Sequence, residues 1–588
     1  MSKILKDTDT VNLIKAGCNK VYSDNMNEII TAKDTLHKLQ QDVADLYSLP
    51  LDIEKYFAMQ RTGKLYQVKI PKYSYNTSPA CIKTLDNAGL TCIPSTNTAT
   101  NTNDYLTIPL FKWYNCNYIR NAYGEPIITY KEGDTGYATS GAVDVGCFGM
   151  SFYYSYLDGS NYNELDSNYY YLTISDKPNA EWYLQPWEGC VRHDGTVAPY
   201  WCYSKYFSGN VNQDLRSQPN LFPVCWMSHD RMLTAGTFTD PNKNGTVYGY
   251  QHKGQGYWGA GVDRHLFGYI FTMIKYATKS NQTVMAGCTN YNFQYAAADT
   301  TLTNTNYFPV TAAQAANFEI GSCVCVGQAY VSGTSAGIDR NTASMYSKVP
   351  MAKIVSKSQI SGQSYWGLYL VDENNNAVTI SDTADIESNG IVLHTYISTK
   401  PWISGTTDSI AGMNDGSMGN NGSANGGNIN GGHFPFRVQG LEYSIGAWTV
   451  CGDTVMNVTT DTNINFYTAQ KGVNHTNNTA NILANYKLSG SMTTDSKSDF
   501  WVGDINISSV SESGNSSVVT FYPCSKGTGS SVGCGDYCYR NTTSGSNQWR
   551  EVLLGGHLYY GAGAHAGFCY LSCSNGLSNA YWYLASAD

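Results

Sequence analysis

Charge is what this sequence has least of. Only 14% of its 588 residues are Asp, Glu, Lys or Arg, against roughly 25% in ordinary globular chains. Basic residues are the scarcer kind, 37 against 46 acidic, for a net charge of −9. Without a basic stripe to neutralise a phosphate backbone, nucleic acid is excluded as a partner. Long apolar runs are missing too. The stretch from His265 to Ile274 ends at Lys275 and falls well short of the roughly 20 residues a bilayer requires, so no membrane insertion is expected. The opening MSKILKDTDT lacks the apolar core of a secretory signal, so the chain is expected to be finished in the compartment that makes it.

Catalytic signatures are equally scarce. HExxH and GxxxxGK[ST] are absent. GTSAG around Ser335 and GSSVG around Ser531 have no helical sequel, which a nucleophile elbow requires. The glycines Gly254, Gly256 and Gly259 lack a surrounding βαβ unit. Ser228, His229 and Asp230 are merely adjacent, whereas a triad is a spatial arrangement. Glu164 and Asp166 cannot be paired as glycosidase carboxylates from spacing. No catalytic residue, metal ligand or cofactor is assigned.

What is abundant is tyrosine, 47 residues, with 56 glycines. The 17 cysteines are odd in number and scattered, so they read as mostly reduced thiols. Cys323 and Cys325 alternate as a strand pair on one face and read as small buried hydrophobes.

The organisation along the chain is uneven. Residues 1–60 read as an N-terminal segment apart, in which Ile29, Ala32, Leu36, Leu39, Val43 and Leu46 follow the a/d repeat of a short helical coiled coil. Residues 65–299 are β-rich, with NYYYLTI and TYKEGDTGYATSG reading as strands and turns. They include a helix near 263–280 whose Leu266, Ile270, Met273, Ile274 and Ala277 share a face, widened by Phe267 and Phe271. Residues 300–400 read as an inserted β unit. Residues 401–432 are a Gly- and Asn-rich loop, expected to be mobile and outside the core. Residues 433–588 form the last region.

Two islands in that last region carry a resemblance. Gly555 and Gly556 follow an apolar strand, Ala566-Gly567-Phe568-Cys569-Tyr570-Leu571 comes next, and Ser578-Asn579-Ala580-Tyr581-Trp582-Tyr583-Leu584 lies near the end. This text resembles the variable region of C-type-lectin-like proteins diversified by retroelements in phages and bacteria, the major-tropism-determinant-like class. It departs at Ala585, where that family usually has Gly, and in its acidic end. Upstream, HFPFRVQGLEYSIGAW, with Arg437, Gly440, Leu441, Glu442, Gly446 and Trp448, resembles a strand pair of the same lectin-like core in phage tail proteins. Ala447 and Thr449 replace the usual Asn and Glu. The expected fold is therefore mainly β, with an α+β C-type-lectin-like domain of the formylglycine-generating-enzyme type. Those enzymes use two cysteines near their C-terminus, and Cys534 and Cys538 offer a pair of shorter spacing that precedes the Gly-Gly step.

The resemblance implies a non-enzymatic phage tail-fibre adhesin whose face, residues 549–588, binds a bacterial surface receptor, protein or polysaccharide. It also implies a homotrimer on the virion tail, attached to the baseplate through its N-terminus. A retroelement-diversified bacterial surface-display protein and a tail-spike depolymerase are the alternatives. Composition agrees with binding, because Tyr, Ser, Gly and Asn dominate adaptable paratopes. If strand alternation holds, the ligand-binding positions are His557, Tyr559, Tyr560, His565, Phe568, Tyr570, Ser572, Ser574, Asn575, Asn579, Tyr581 and Tyr583, over a core of Leu558, Leu571, Trp582 and Leu584.

Overall fold

The computed structural model describes residues 53–588, except 244, 331–337, 339, 420–431, 470, 474, 495–497, 511–517, 541–547 and 559–566. The chain divides into two units, Met1–Gln60 and Arg61–Asp588. Of the first, the helix Ile53–Gln60 is described. The a/d repeat lies outside the described residues.

The second unit is mainly β. Its largest sheet has nine strands and runs Tyr486–Thr493, Asn463–Ala469, Trp448–Thr460, Gln548–Leu554, Leu571–Ser572, Tyr537–Tyr539, Phe500–Val510, Val518–Gly527, with Leu584–Ala585 beside Trp448–Thr460. The sheet curls until its two edges meet. Tyr522 of one edge stacks on Phe466 at 5.7 Å, and Gly490 of the other edge sits so close that a Cβ there would lie 2.5 Å from the Tyr522 ring. A five-stranded antiparallel sheet is centred on Tyr66–Pro71 and Tyr169–Ser175. A four-stranded one is ordered Pro126–Lys131, Trp113–Arg120, Asp144–Met150, Tyr200–Ser204. NYYYLTI thus supplies the strand Tyr169–Ser175.

The helix Val262–Tyr276 lies among these sheets and is buried almost all round. The sequence shows one apolar face; the structure covers the others as well. Phe271 meets Phe111 and Phe152, and Phe267 meets Trp201 at 4.6 Å. His265 lies against Phe521 and Phe568. The polar members survive burial because each finds partners. Arg264 donates to the carbonyls of Ser204 and Glu442, and Lys275 pairs with Asp415 at 3.0 Å. At Gly268 a Cβ would stand 2.7 Å from the Tyr443 ring and 2.8 Å from that of Phe568, so only glycine lets those rings approach.

Between Gln294 and Lys400 a seven-stranded sheet has its own apolar cluster, built on Phe308, Val326, Ile354 and Leu368. Cys323 and Cys325 are buried there on the strand Cys323–Ala329. Every described cysteine is a free thiol, and no described helix is long and apolar enough to cross a membrane.

The Gly- and Asn-rich run corrects one expectation. Asn414, Asp415 and Ser417, within the stretch expected outside the core, are buried. Arg437 explains this by donating to the carbonyls of Thr407, Ile410, Gly412 and Asn414, which satisfies backbone that composition alone assigns to solvent. Residues 420–431 lie outside the described part.

Candidate ligand-binding face

The two sequence islands meet where the strand Trp448–Thr460 begins. Before it, Phe436–Val438 and Leu441–Tyr443 form a hairpin in a separate three-stranded sheet, Arg437 opposite Glu442, turned by Gln439 and Gly440, both at positive φ. That backbone is what a two-residue turn of the I′ kind demands. Trp448 then begins the long strand whose neighbours are Gln548–Leu554 and Leu584–Ala585, the latter parallel with Trp448 opposite Leu584. Gly555 and Gly556 both take positive φ, 85° and 75°, which a glycine pair adopts without the Cβ penalty. The chain therefore leaves the sheet where the Gly-Gly step stands.

The twelve candidate positions separate into three groups. Tyr559, Tyr560 and His565 lie outside the described residues. His557, Phe568, Tyr570 and Ser572 are at most 5% exposed, which corrects the expectation that they form a surface. Alternation presumes a continuous strand with one wet face, but among the described residues after Gly556 only Leu571–Ser572 and Leu584–Ala585 are strands. Both faces are covered, and six consecutive residues from Phe568 to Cys573 are buried. Phe568 packs under Tyr443 at 5.0 Å and Phe436 at 5.4 Å. Tyr570 lies 4.3 Å from Trp448.

Ser574, Asn575, Asn579, Tyr581 and Tyr583 are half-buried. Asn575 is tied down by donating to Glu551 at 3.2 Å. Asn579 donates to the Tyr581 hydroxyl at 3.2 Å, and Tyr581 stacks on Tyr583 at 5.4 Å. Trp582 points the other way, into a cluster with Phe207, Trp402 and Leu558, so the expected core role of Trp582, Leu558, Leu571 and Leu584 agrees with their burial.

These tyrosines end a longer row of rings. Trp501 meets Tyr537 at 5.0 Å, Tyr537 meets Tyr539 at 5.3 Å, and Tyr539 meets Tyr570 at 5.9 Å. The row continues through Trp448 and His557, 6.0 Å apart, to Tyr583, 4.2 Å from His557 and nearly parallel to it. Its middle is buried, while Trp501, Tyr537, Tyr539, Tyr581 and Tyr583 at its ends are half-exposed. Burial, aided by the Arg340 charge, holds the His557 imidazole well below its usual pKa. It sits in the row as a neutral ring. Sequence reasoning missed Trp501, Tyr537 and Tyr539; the Tyr-Cys-Tyr alternation of the strand Tyr537–Tyr539 was the available signal.

The residues that the sequence offers for chemistry have other partners or positions here. Cys534 and Cys538 do not face each other: Cys569 lies against the first and Cys573 against the second, all four buried. Ser228 caps the short helix His229–Met232 by accepting from Arg231 N–H. His229 N–H donates to Glu551 at 3.0 Å, so these residues serve a turn. Glu164 and Asp166 are exposed loop residues, as is Ser531, and Ser335 lies outside the described part. Among the described residues no cluster of three or more His, Cys, Asp or Glu could hold a metal ion. No family model, curated protein or solved structure matches this chain.

Proposed function

We propose that this chain is a phage tail receptor-binding protein, an adhesin with a C-type-lectin-like core that recognises a bacterial surface ligand without chemical turnover. One observation carries the reading. A row of stacked rings, anchored on the buried Trp448, Tyr570 and His557, presents Trp501, Tyr537, Tyr539, Tyr581 and Tyr583 partly exposed at its ends. Rigid aromatic side chains held by a sheet give large contact area at small entropic cost. The recognition surface is correspondingly moved. Ser574, Asn579, Tyr581 and Tyr583 remain in it, and Trp501, Tyr537 and Tyr539 join it. Residues 1–60 would hold the adhesin on the tail, as a trimer through the a/d repeat.

The experiment is cell adsorption of labelled protein across a panel of bacterial strains, with thermal unfolding in parallel. For Tyr581→Ala and Tyr537→Ala we expect loss of adsorption with near-normal melting. Each substitution should cost about 2 kcal/mol of binding, roughly thirtyfold in affinity. Normal adsorption by both variants would place recognition elsewhere.

A further inference from the structure

A second site lies away from the C-terminal face, where the four-stranded and nine-stranded sheets approach each other. An inner chamber of about 70 Å³, walled mostly by buried residues, is lined by Glu188, Tyr203, Asp263, Asp453 and Lys471. A neighbouring outer chamber of about 230 Å³ shares Pro126, Gly189 and Lys471 with it. The outer chamber is a little below the roughly 300 Å³ at which small-molecule sites begin, so it suits a ligand of one ring.

The inner chamber holds a buried acceptor that no protein group meets. Glu188 is 3% exposed. Its Oε1 accepts from Tyr154 at 3.0 Å and from Ser509, but its Oε2, fully buried, has no partner. Leaving such an acceptor unmade is costly, and native structures rarely do so without a ligand or water. Asp453 and Asp263 converge beside it in the same chamber. A Cβ on Gly261 would lie 2.7 Å from Asp453 Oδ2 and 2.2 Å from Asp263 Oδ1. Asp453 Oδ1 is already taken by Val262 N–H and the Thr454 hydroxyl. Asp263 accepts from the Tyr203 hydroxyl at 2.9 Å. Lys471 stands between the chambers and donates to the carbonyls of Glu188 and Val191. An ammonium has three donors, so one remains for a ligand oxygen.

The outer chamber has a mixed wall. Ile127, Val191 and Tyr200 supply apolar surface, and Asn121, Glu125 and Arg192 supply polar groups. A ligand matching both chambers has hydroxyls that donate to buried carboxyl oxygens, oxygens that accept from an ammonium, and an apolar ring face. Across the two chambers the acidic groups Glu125, Glu188, Asp263, Asp453 and Asp588 are offset by Arg120, Arg192, Arg264 and Lys471, so the walls favour neither an anion nor an amine. We infer that this cleft binds a neutral saccharide, a hexose or N-acetylhexosamine, with its hydroxyls on Glu188 and Lys471 and a ring face on the apolar wall of the outer chamber. Burial, which pushes the Glu188 carboxyl up to about 7, is consistent with a neutral ligand.

The test is saturation-transfer NMR on the full chain, with glucose, galactose, N-acetylglucosamine, glucosamine and glucuronate as probes at millimolar concentration. Transfer to at least one neutral sugar is expected. It should fall roughly tenfold or more in Lys471→Met and in Ile127→Trp. The second variant narrows the cleft from a side chain that is 44% exposed and so leaves the core intact. Transfer should persist in Tyr581→Ala, which separates this site from the aromatic row. The inference is overturned if none of the sugars receives transfer, if Ile127→Trp binds as well as the unaltered chain, or if glucuronate or glucosamine binds more tightly than its neutral parent.

Discussion

The guanidinium of Arg340 lies 3.6 Å from the ring centroid of Trp582. Arg340 is 1% exposed and is fixed by donating to Thr399 O at 2.6 Å and to Asn292. The loop before Trp582 is joined to the same region, because Trp582 N–H donates to Asn341 Oδ1 at 3.1 Å. The segment that carries Tyr581 and Tyr583 is thus positioned by a residue from the Gln294–Lys400 region, and a planar, pre-organised cation suits that stacked task better than a flexible one.

Arg340→Ala should cost about 2 kcal/mol or more, the value of a desolvated cation–π contact. Arg340→Lys should recover only part of it, since an ammonium keeps a cation–π attraction but has no planar face to stack. Urea unfolding followed by tryptophan fluorescence measures both. A variant as stable as the original would show that the contact contributes nothing. A deletion of residues 300–400 should likewise uncover Trp582 and lower the melting temperature of the remainder, even where it stays soluble.

Burial divides the C-terminal aromatics into two classes with opposite behaviour. Phe568→Ala removes a ring packed beneath Tyr443, Phe436 and His265 and should cost about 3–5 kcal/mol. Tyr581→Ala, half-buried at the end of the row, should cost far less stability and most of the adsorption. Equal melting losses for the two would assign Tyr581 to the core.

Gly268→Ala should destabilise by about 1–3 kcal/mol through overpacking, because the new methyl meets the Tyr443 and Phe568 rings. Pairing it with Phe568→Leu should recover part of the loss. Differential scanning calorimetry on the two single variants and the double one gives the coupling, and strict additivity would contradict the contact.

Stability should fall as pH rises above about 6.5. Burial pushes the Glu551 carboxyl up to about 8 and those of Glu442 and Asp536 up to about 7. These groups bind protons more tightly folded than unfolded, so their contribution is complete in acid and is lost as pH passes through the folded values. The buried imidazoles of His229, His265 and His475 are lowered to about 4, 3 and 3. They act oppositely, stabilising above the unfolded value and losing that contribution only as pH falls, so above about 6.5 they are flat. Glu551 alone should account for about 2 kcal/mol between pH 6.5 and 9, at roughly 1.4 kcal/mol per unit. Glu551→Gln should flatten the melting profile over that range, and an unchanged slope would contradict the assignment.

The a/d repeat gives a test of its own. Light scattering on the full chain should report a trimer that Leu36→Asp or Leu39→Asp converts to a monomer. A strict monomer before substitution would remove the coiled coil.

Local signals were legible in the sequence and non-local ones were not. Tyr169–Ser175, the helix Val262–Tyr276 and the Gly555-Gly556 step each announce themselves through alternation, periodicity or backbone freedom within a few residues. The burial of His557, Phe568, Tyr570 and Ser572 could not be read that way, because their covers come from distant strands such as Leu441–Tyr443 and Tyr537–Tyr539. Asp415 looks like loop text until Lys275 and Arg437 are placed around it. The cleft at Glu188 left no motif, since its carboxyls are brought together from positions 188, 263 and 453 only by the packing of sheets.

The helix Val262–Tyr276 also sets an order of events during synthesis. Its early partners, Phe111, Phe152 and Trp201, precede it in the chain, but Tyr443, Phe521 and Phe568 are translated much later. A nascent chain therefore carries Gly268, His265 and their apolar neighbours uncovered until residues near 568 emerge from the ribosome. Contacts this distant make for slow folding and exposure to aggregation, so cooler, slower expression should raise the soluble yield of the full chain.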